Sequence, residues 1–166
     1  MSFVGSIYRE VKVVRIEFSL NGSRVKVDVK HNERLIDLLW RLGMRSVKEG
    51  CGTGDCGSCN VLVDKRLVNS CIMLAAQARG REVWTVEGLV KNEKLHPIQH
   101  ALIEYTASQC GYCIPGIVMT AKYILDNYAE ASENDVRRVL VSNICRCGGY
   151  TRIVEAVLSA MAASRK

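Results

Sequence analysis

Eight cysteines fall into two groups of four, and the two spacings differ. The first group is Cys51-x4-Cys56-x2-Cys59 with Cys71 further on; the second is Cys110-x2-Cys113 and, after a long gap, Cys145-x-Cys147. Four thiolates are what one [2Fe–2S] cluster needs, and C-x4-C-x2-C…C is the plant-type spacing for one. Eight cysteines therefore match two clusters. Each would accept and deliver one electron, so the chemistry expected of this chain is electron transfer along a short wire.

A buried cluster needs its sulfur charge offset by backbone N–H groups, and tight loops with unusual φ supply them. The segment Gly50 to Cys59 interleaves Gly50, Gly52, Gly54 and Gly57 with three of the cysteines. In the second group Gly111 lies between Cys110 and Cys113, and Gly148-Gly149 follow Cys147. Zinc is the weaker match, because a single residue between Cys145 and Cys147 is unusual where zinc commonly takes paired C-x2-C. Disulfides are disfavoured in a reducing compartment. A Rieske centre would need two histidines, and none of the three lies within either motif.

Other patterns carry less. Gly52-x-Gly54-x-x-Gly57 spells a dinucleotide fingerprint, but cysteines interrupt it and a strand, not a helix, is expected after it. His96 and His100 have the spacing of a zinc-protease pair, yet Pro97 stands where glutamate is needed and makes His96 a helix cap. His31 reads as a loop residue. Glu49 and Asp55 flank the first cysteine loop, and acids beside an anionic cluster are poor catalysts. No nucleophile–base pair is apparent, so the chain alone is expected to transform no substrate.

The chain of 166 residues is 48% hydrophobic, enough for a core without disulfides. Its net charge of +6 falls to about +2 once two clusters at about −2 each are counted. Basic residues are dispersed, which argues against nucleic acid. No apolar run reaches transmembrane length, so no membrane insertion is expected. Met1 to Glu10 does not read as a secretory leader, which favours the cytoplasm.

These ligands must be positioned by an α+β chain. Val11 to Phe18 alternates as a strand, Asn21-Gly22 is a two-residue hairpin signal, and Val25, Val27 and Val29 mark the returning strand. Asn32 would cap a helix buried through Leu35, Ile36, Leu38, Leu39 and Leu42 and ended by Gly43. Strand, hairpin, strand and helix is how a β-grasp fold begins. Val61 to Val63 and Glu82 to Val86 supply further strands, and Asn69 to Gln77 a short helix carrying Cys71. Glu87 to Lys94 reads as a linker. Four helices follow. The first starts at Pro97, and the second opens at Pro115-Gly116 and buries Ile117, Met119, Ala121, Ile124, Leu125 and Tyr128. The third is capped by Ser132 with Asp135, and the last by Thr151. The second cysteine group falls at helix ends.

The combination Cys51-Gly-Thr-Gly-Asp-Cys-Gly-Ser-Cys59, Val-Asn-Ser-Cys71, Gln109-Cys-Gly-Tyr-Cys-Ile-Pro-Gly116 and Cys145-Arg-Cys-Gly-Gly-Tyr150 resembles the iron–sulfur subunit of the molybdenum hydroxylases. That is the xanthine oxidase, aldehyde oxidoreductase and carbon monoxide dehydrogenase family, and the match runs from about Val11 to Ala162. The resemblance implies a plant-type ferredoxin-like β-grasp domain over residues 9–87 and a four-helix domain over 95–163. It implies a first [2Fe–2S] cluster on Cys51, Cys56, Cys59 and Cys71 and a second on Cys110, Cys113, Cys145 and Cys147. It further implies contact of Gln109 and Cys147 with a molybdopterin on a large partner subunit, and delivery of electrons from the first cluster to FAD on a medium subunit. Asp55, Asn60 and Lys65 depart from the commonest family pattern at positions that are not ligands. A separate chain of this length resembles the multi-subunit branch, whose holoenzymes oxidise aldehydes such as glyceraldehyde, or carbon monoxide; an aldehyde is the expectation. The competing reading is a free-standing two-cluster electron carrier.

Overall fold

Asn21 and Gly22 take φ of 51° and 83°, the left-handed pair that a two-residue hairpin requires. They join β1 (Val13–Leu20) to β2 (Ser23–Lys30) in antiparallel register. The structure, a computed structural model, describes residues 12–128 and 130–164; the start of the first expected strand, at Val11, lies outside them. Three more strands complete the sheet: β3 (Asn60–Val63), β4 (Arg66–Asn69) and β5 (Glu82–Trp84). The order is β2-β1-β5-β3-β4, with β5 parallel to β1 and antiparallel to β3. Helix α1 (Leu35–Arg41) closes one face with Leu35, Ile36, Leu38 and Leu39, all fully buried against Ile16, Phe18 and Val29. Each such side chain contributes about 1.5–3 kcal/mol. This is the β-grasp arrangement, and the chain is α+β as expected.

Several local expectations are corrected. Asn32 does not cap α1; the N-cap is Arg34. A backbone bridge to Leu74 holds Arg34 extended, and its guanidinium pairs with Asp37 and Glu49, so the helix starts later. Gly43 does end it, at φ 88°, with the Met44 N–H reaching the Leu39 carbonyl at 2.9 Å. No helix spans 69–77. Asn69 ends β4, Cys71 sits in a turn, and only Ala75–Ala78 forms a 3₁₀ turn. The backbone there is engaged elsewhere: Ser70 Oγ and N–H donate to the Cys59 carbonyl, and the Ser70 and Met73 carbonyls accept from Ile36 and Leu35. The strand expected over Glu82 to Val86 stops at Trp84, because Thr85 turns its N–H to the Asn21 side chain and Val86–Leu89 coils into a 3₁₀ turn.

The expected linker over 87–94 is tethered. Leu89 is buried, Lys91 and Lys94 bridge one another, and the Glu87 carboxylate accepts from Ser46 N–H, Ser46 Oγ and Thr85 Oγ at 2.9, 2.6 and 2.6 Å. Partial burial would raise the Glu87 pKa, but the hydroxyl donors, Ser46 first, outweigh it and hold it below the usual carboxylate range. A lowered folded pKa stabilises above the unfolded value and is lost as pH falls through the folded one. Solvent screening keeps this to about 1 kcal/mol or less. Glu87→Gln is therefore expected to lower stability slightly at neutral pH, and the gap to the parent to close on acidification. Urea titration of both proteins at a series of pH values checks this; a pH-independent gap would show that the charge is not what matters.

The second half packs α2 (Pro97–Glu104), α3 (Ile114–Asn127), α4 (Glu133–Leu140) and α5 (Tyr150–Ser164). His96 caps α2 ahead of Pro97, and Ser132 forms a reciprocal cap with Asp135, both as expected. Thr151 does not cap α5 but lies inside it, since the Ile153 N–H already reaches the Gly149 carbonyl. Tyr128 falls past the end of α3, 42% exposed, and meets Tyr123 edge-on. Gly116, Val118 and Thr120 are buried in addition to the expected positions. The reason is that α3 is covered on two sides, by β3 on one and by α2, α4 and α5 on the other. Buried side chains form two clusters, one between sheet and α1, the other among the helices; Leu62 of β3 belongs to the second, and Trp84 and Leu67 pack against it.

Candidate metal centres

The loop between α1 and β3 carries Cys51, Cys56 and Cys59. Gly52, Gly54 and Gly57 sit at φ 71°, 88° and 67°, which turns successive N–H groups inward. The N–H groups of Thr53 and Cys56 both donate to Cys51 Sγ at 3.4 Å. Contacts from Thr53, then from Cys56, bring the Cys51 thiol down to about 6. A Cβ on Gly50 would stand 2.8 Å from Cys56 Sγ, so the loop leaves room only for hydrogen there. Cys71 approaches Cys59 from the turn after β4, and both are buried. Burial, then the neighbouring Cys59 sulfur, pushes the Cys71 thiol up to about 12.

The second group forms between helix ends. Cys113 is the N-cap of α3, with Cys110 three residues before it. Cys145 and Cys147 lie in the turn between α4 and α5. Burial, then the adjacent Cys145, pushes Cys113 up to about 12. Burial alone would raise Cys145 too, but the Gly149 N–H, then the Cys113 thiol and the N–H groups of Cys147 and Gly148, prevail and lower it. Cys110 is lowered by the Tyr112 N–H and then by Cys147.

Within each set the thiols interact most strongly in twos, Cys51 with Cys56, Cys59 with Cys71, Cys113 with Cys145 and Cys110 with Cys147, and more weakly across them, Cys51 with Cys71 and Cys110 with Cys113. Among the described residues no three His, Cys, Asp or Glu side chains form a group suited to one metal ion. A two-iron core differs in taking its protein ligands two per iron, as the paired substitution in Rieske centres shows. Buried thiols pushed up by a neighbouring sulfur are costly to ionise alone, and a metal core reverses that by deprotonating them outright. The donor set therefore fits two [2Fe–2S] cores, and all eight cysteines are free of disulfides.

The two loops touch. The Ile144 N–H, one residue before Cys145, donates to the Cys56 carbonyl at 2.9 Å. Asn143 Nδ2 donates to the Gly57 carbonyl at 3.1 Å. Tyr112, between Cys110 and Cys113, gives its phenol O–H to the Glu49 carbonyl at 2.6 Å, while the Glu49 carboxylate is held by Arg34. Tyr112→Phe removes that O–H and keeps the N–H that supports Cys110. Both clusters are expected to load fully, with the chain losing about 1 kcal/mol. The magnetic interaction between the two reduced clusters should weaken as the loops part. Unchanged coupling in the reduced spectrum would confine the bond to a structural role.

The structure brings Gln109 and Cys147 together, with Gln109 Nε2 donating to the Cys147 carbonyl at 3.3 Å on an exposed surface. It does not bring in the histidines. His96 caps α2, His100 faces Glu104 at the surface, and His31 meets the Lys12 carbonyl. Sequence reasoning missed Tyr112, Asn143 and Ile144, and also Asn60, whose amide joins Thr120 of α3 to Asn69 of β4. Cysteine spacing carries no signal for any of them, although a polar Asn60 opening an apolar strand hinted at a buried partner.

Residues 18–84 match the family described as 2Fe-2S iron-sulfur cluster binding domain, and residues 85–158 the [2Fe-2S] binding domain. The nicotinate dehydrogenase small FeS subunit of Eubacterium barkeri is 39% identical over 87% of this chain and 92% of its own length. The xanthine dehydrogenase iron-sulfur-binding subunit of Escherichia coli O157:H7 is 40% identical, over 89% and 94%. Among solved structures, quinoline 2-oxidoreductase from Pseudomonas putida 86 superposes with a TM-score of 0.88 at 38% identity, covering 92% of this chain and 96% of that one.

Proposed function

We propose the following part for this chain, which belongs to the iron–sulfur (small) subunits of the molybdenum hydroxylases: it carries electrons from a molybdopterin on a large subunit to FAD on a medium subunit. It is an electron-transfer subunit of an oxidoreductase. Cys51, Cys56, Cys59 and Cys71 would hold one [2Fe–2S] cluster in the sheet half, residues 9–87. Cys110, Cys113, Cys145 and Cys147 would hold the other in the helical half, residues 95–163. The two family matches, meeting between residues 84 and 85, support that division. When bound, each cluster supplies a one-electron acceptor. The chain's own residues fix the sulfurs, offset their charge through the N–H groups described above and keep the two loops in contact.

One observation carries the reading: the Ile144 N–H to Cys56 carbonyl bond, which links a ligand of one set to the residue beside a ligand of the other. Gln109 and Cys147 share an exposed surface, so we assign that end to the pterin and the Cys51 loop, itself exposed, to the flavin partner. A ligand sulfur that accepts a hydrogen bond from a cofactor couples the centres and tunes the potential. The full-length subunit is expected to hold about four iron and four labile sulfide ions, two clusters' worth. Reduction should give two distinct paramagnetic signals. Stoichiometric zinc, or half the iron in a fully loaded preparation, would overturn this.

An aldehyde is retained as the holoenzyme's substrate class. Relatives named for nicotinate and xanthine favour a second reading, hydroxylation of a nitrogen heteroaromatic ring. The aldehyde oxidoreductase of Megalodesulfovibrio gigas is nearly as similar, at 38% over 87% of this chain, which is consistent with selection on another subunit. Turnover of the purified complex on an aldehyde and on nicotinate separates the two. We place the complex in the cytoplasm; among the described residues no helix is long and apolar enough to cross a membrane.

A further inference from the structure

A groove of about 760 Å³ opens between segment 88–97, the distal end of β3 and the C-terminal half of α3. Trp84, Leu89 and Leu95 lie along its apolar floor, and Leu95 is 45% exposed. Its rim carries Lys65, Lys91 and Lys94. Two tight turns present them: Asp64-Lys65, at φ 48° and 64°, and Asn92-Glu93, at 49° and 61°, closed by paired backbone hydrogen bonds between Lys91 and Lys94. Among the described residues none of these three ammoniums makes an ion pair. Lys122 and Asp126 also line the groove but neutralise each other, which leaves Glu82 as the one further acid in its lining; Asp64 and Glu93, on the two turns, stand outside that lining, and Asp64 faces Arg81 at 3.9 Å.

The groove is far from the cysteines. β3 leads away from Cys59 at about 3.3 Å per residue, and α3 leads away from Cys113 at about 1.5 Å per residue. Lys65 and Lys122 therefore stand roughly 14–20 Å from the cysteine ends of those elements. A redox cofactor has no reason to sit there. A small anion is a poor occupant as well, because such sites depend on a few buried polar groups that fix orientation, and the floor here is apolar.

We propose that this groove docks an acidic segment with apolar anchor residues from a partner subunit, clamping the chain at the pole opposite its metal centres. The inference rests on the reading that the chain works inside a hetero-oligomer. An apolar centre ringed by charge is the anatomy of a protein interface. Three unpaired ammoniums select an opposite charge by sign and repel a like one. A second copy of this chain is disfavoured because it would set the same three lysines against this rim, and its net charge, about +2 with both clusters, is also positive.

The test compares lysine acetylation in the isolated chain and in the co-expressed, purified complex, read by mass spectrometry. Lys65, Lys91 and Lys94 are expected to lose reactivity roughly tenfold in the complex while Lys26 and Lys30 on β2 keep theirs. Carbodiimide should link at least one of the three to a partner Asp or Glu. The combined variant Lys65→Glu, Lys91→Glu, Lys94→Glu should retain both cluster spectra yet release from the complex at a salt concentration that the parent withstands. Equal acetylation in chain and complex overturns the docking proposal and leaves the hetero-oligomer standing. Protection in the isolated chain that grows with its concentration overturns it in favour of self-association, and protection by added inorganic phosphate alone in favour of a small anion. A chain that never co-purifies with partners overturns the functional reading itself.

Discussion

Replacing Cys113 with alanine in the assembled complex is expected to stop substrate from reducing the cluster on the Cys51 loop. Cys113 is 8% exposed, caps α3 and stands beside Cys145. Its loss leaves three thiolates around a core that needs four. Turnover should fall by more than about 100-fold, beyond what outer-shell substitutions at metal sites cost. The matching variant Cys56→Ala should lose the sheet-half cluster only, because the second set of sulfurs lies on other elements. There, substrate should still reduce the helical-half cluster while the flavin stays oxidised. Rapid-mixing spectra distinguish the two centres. The opposite pattern, with the Cys51-loop cluster reduced by substrate in Cys113→Ala and the helical-half cluster silent in Cys56→Ala, would mean that the ends of the wire are reversed.

Gly116→Ala is expected to be strongly destabilising. A Cβ there would stand 2.1 Å from the Gly57 carbonyl oxygen and 2.9 Å from Ser58 Cα. Both are backbone atoms, and both belong to the first cysteine loop, so no flexible side chain can yield. The cost should reach about 3 kcal/mol or more, the range of overpacking against a rigid wall. Gly80→Ala is the control: it carries the positive φ of 71° but meets nothing within 4 Å, so only a backbone penalty of about 1 kcal/mol applies. Bound metal breaks two-state behaviour, so the readout is the temperature at which cluster absorbance bleaches. Gly116→Ala should lower it by roughly 10 °C, at about 2–4 °C per kcal/mol for a chain of this size. A shift in Gly116→Ala no larger than that in Gly80→Ala would mean that the contact with the Gly57 loop is not what destabilises it.

The elements that sequence reasoning found best are those with strong local signals. Asn21-Gly22, the Gly43 stop, the His96-Pro97 start and the Ser132/Asp135 cap depend on neighbours a few residues away, and all formed as expected. The misses have two causes. Asn32 and Asn69 to Gln77 have reasonable local chemistry, but distant backbone partners took the groups that they needed; Thr151 lost its role locally, because α5 already starts at Tyr150 with the Ile153 N–H on the Gly149 carbonyl. Leu74 bridges Arg34, and Cys59 occupies Ser70. That the chain carries two [2Fe–2S]-binding domains was legible because metal ligation restricts residue type and spacing together. The contacts between the sets were not, since Ile144 meets Cys56 through backbone atoms that every residue possesses.

Gly57 and Gly116 press bare backbone against bare backbone, and Asn143 closes the joint from the other side. That seam has a bearing on recombination between relatives. A chimera that took its sheet half from one parent and its helical half from another would inherit, at this seam, a main-chain contact that no change of side chain can adjust. It would assemble only if both parents placed these main-chain atoms within a few tenths of an ångström of each other. The boundary between the two family matches, at residues 84 and 85, is where such chains would be joined. The seam at Gly57 and Gly116 decides whether the pieces can be exchanged.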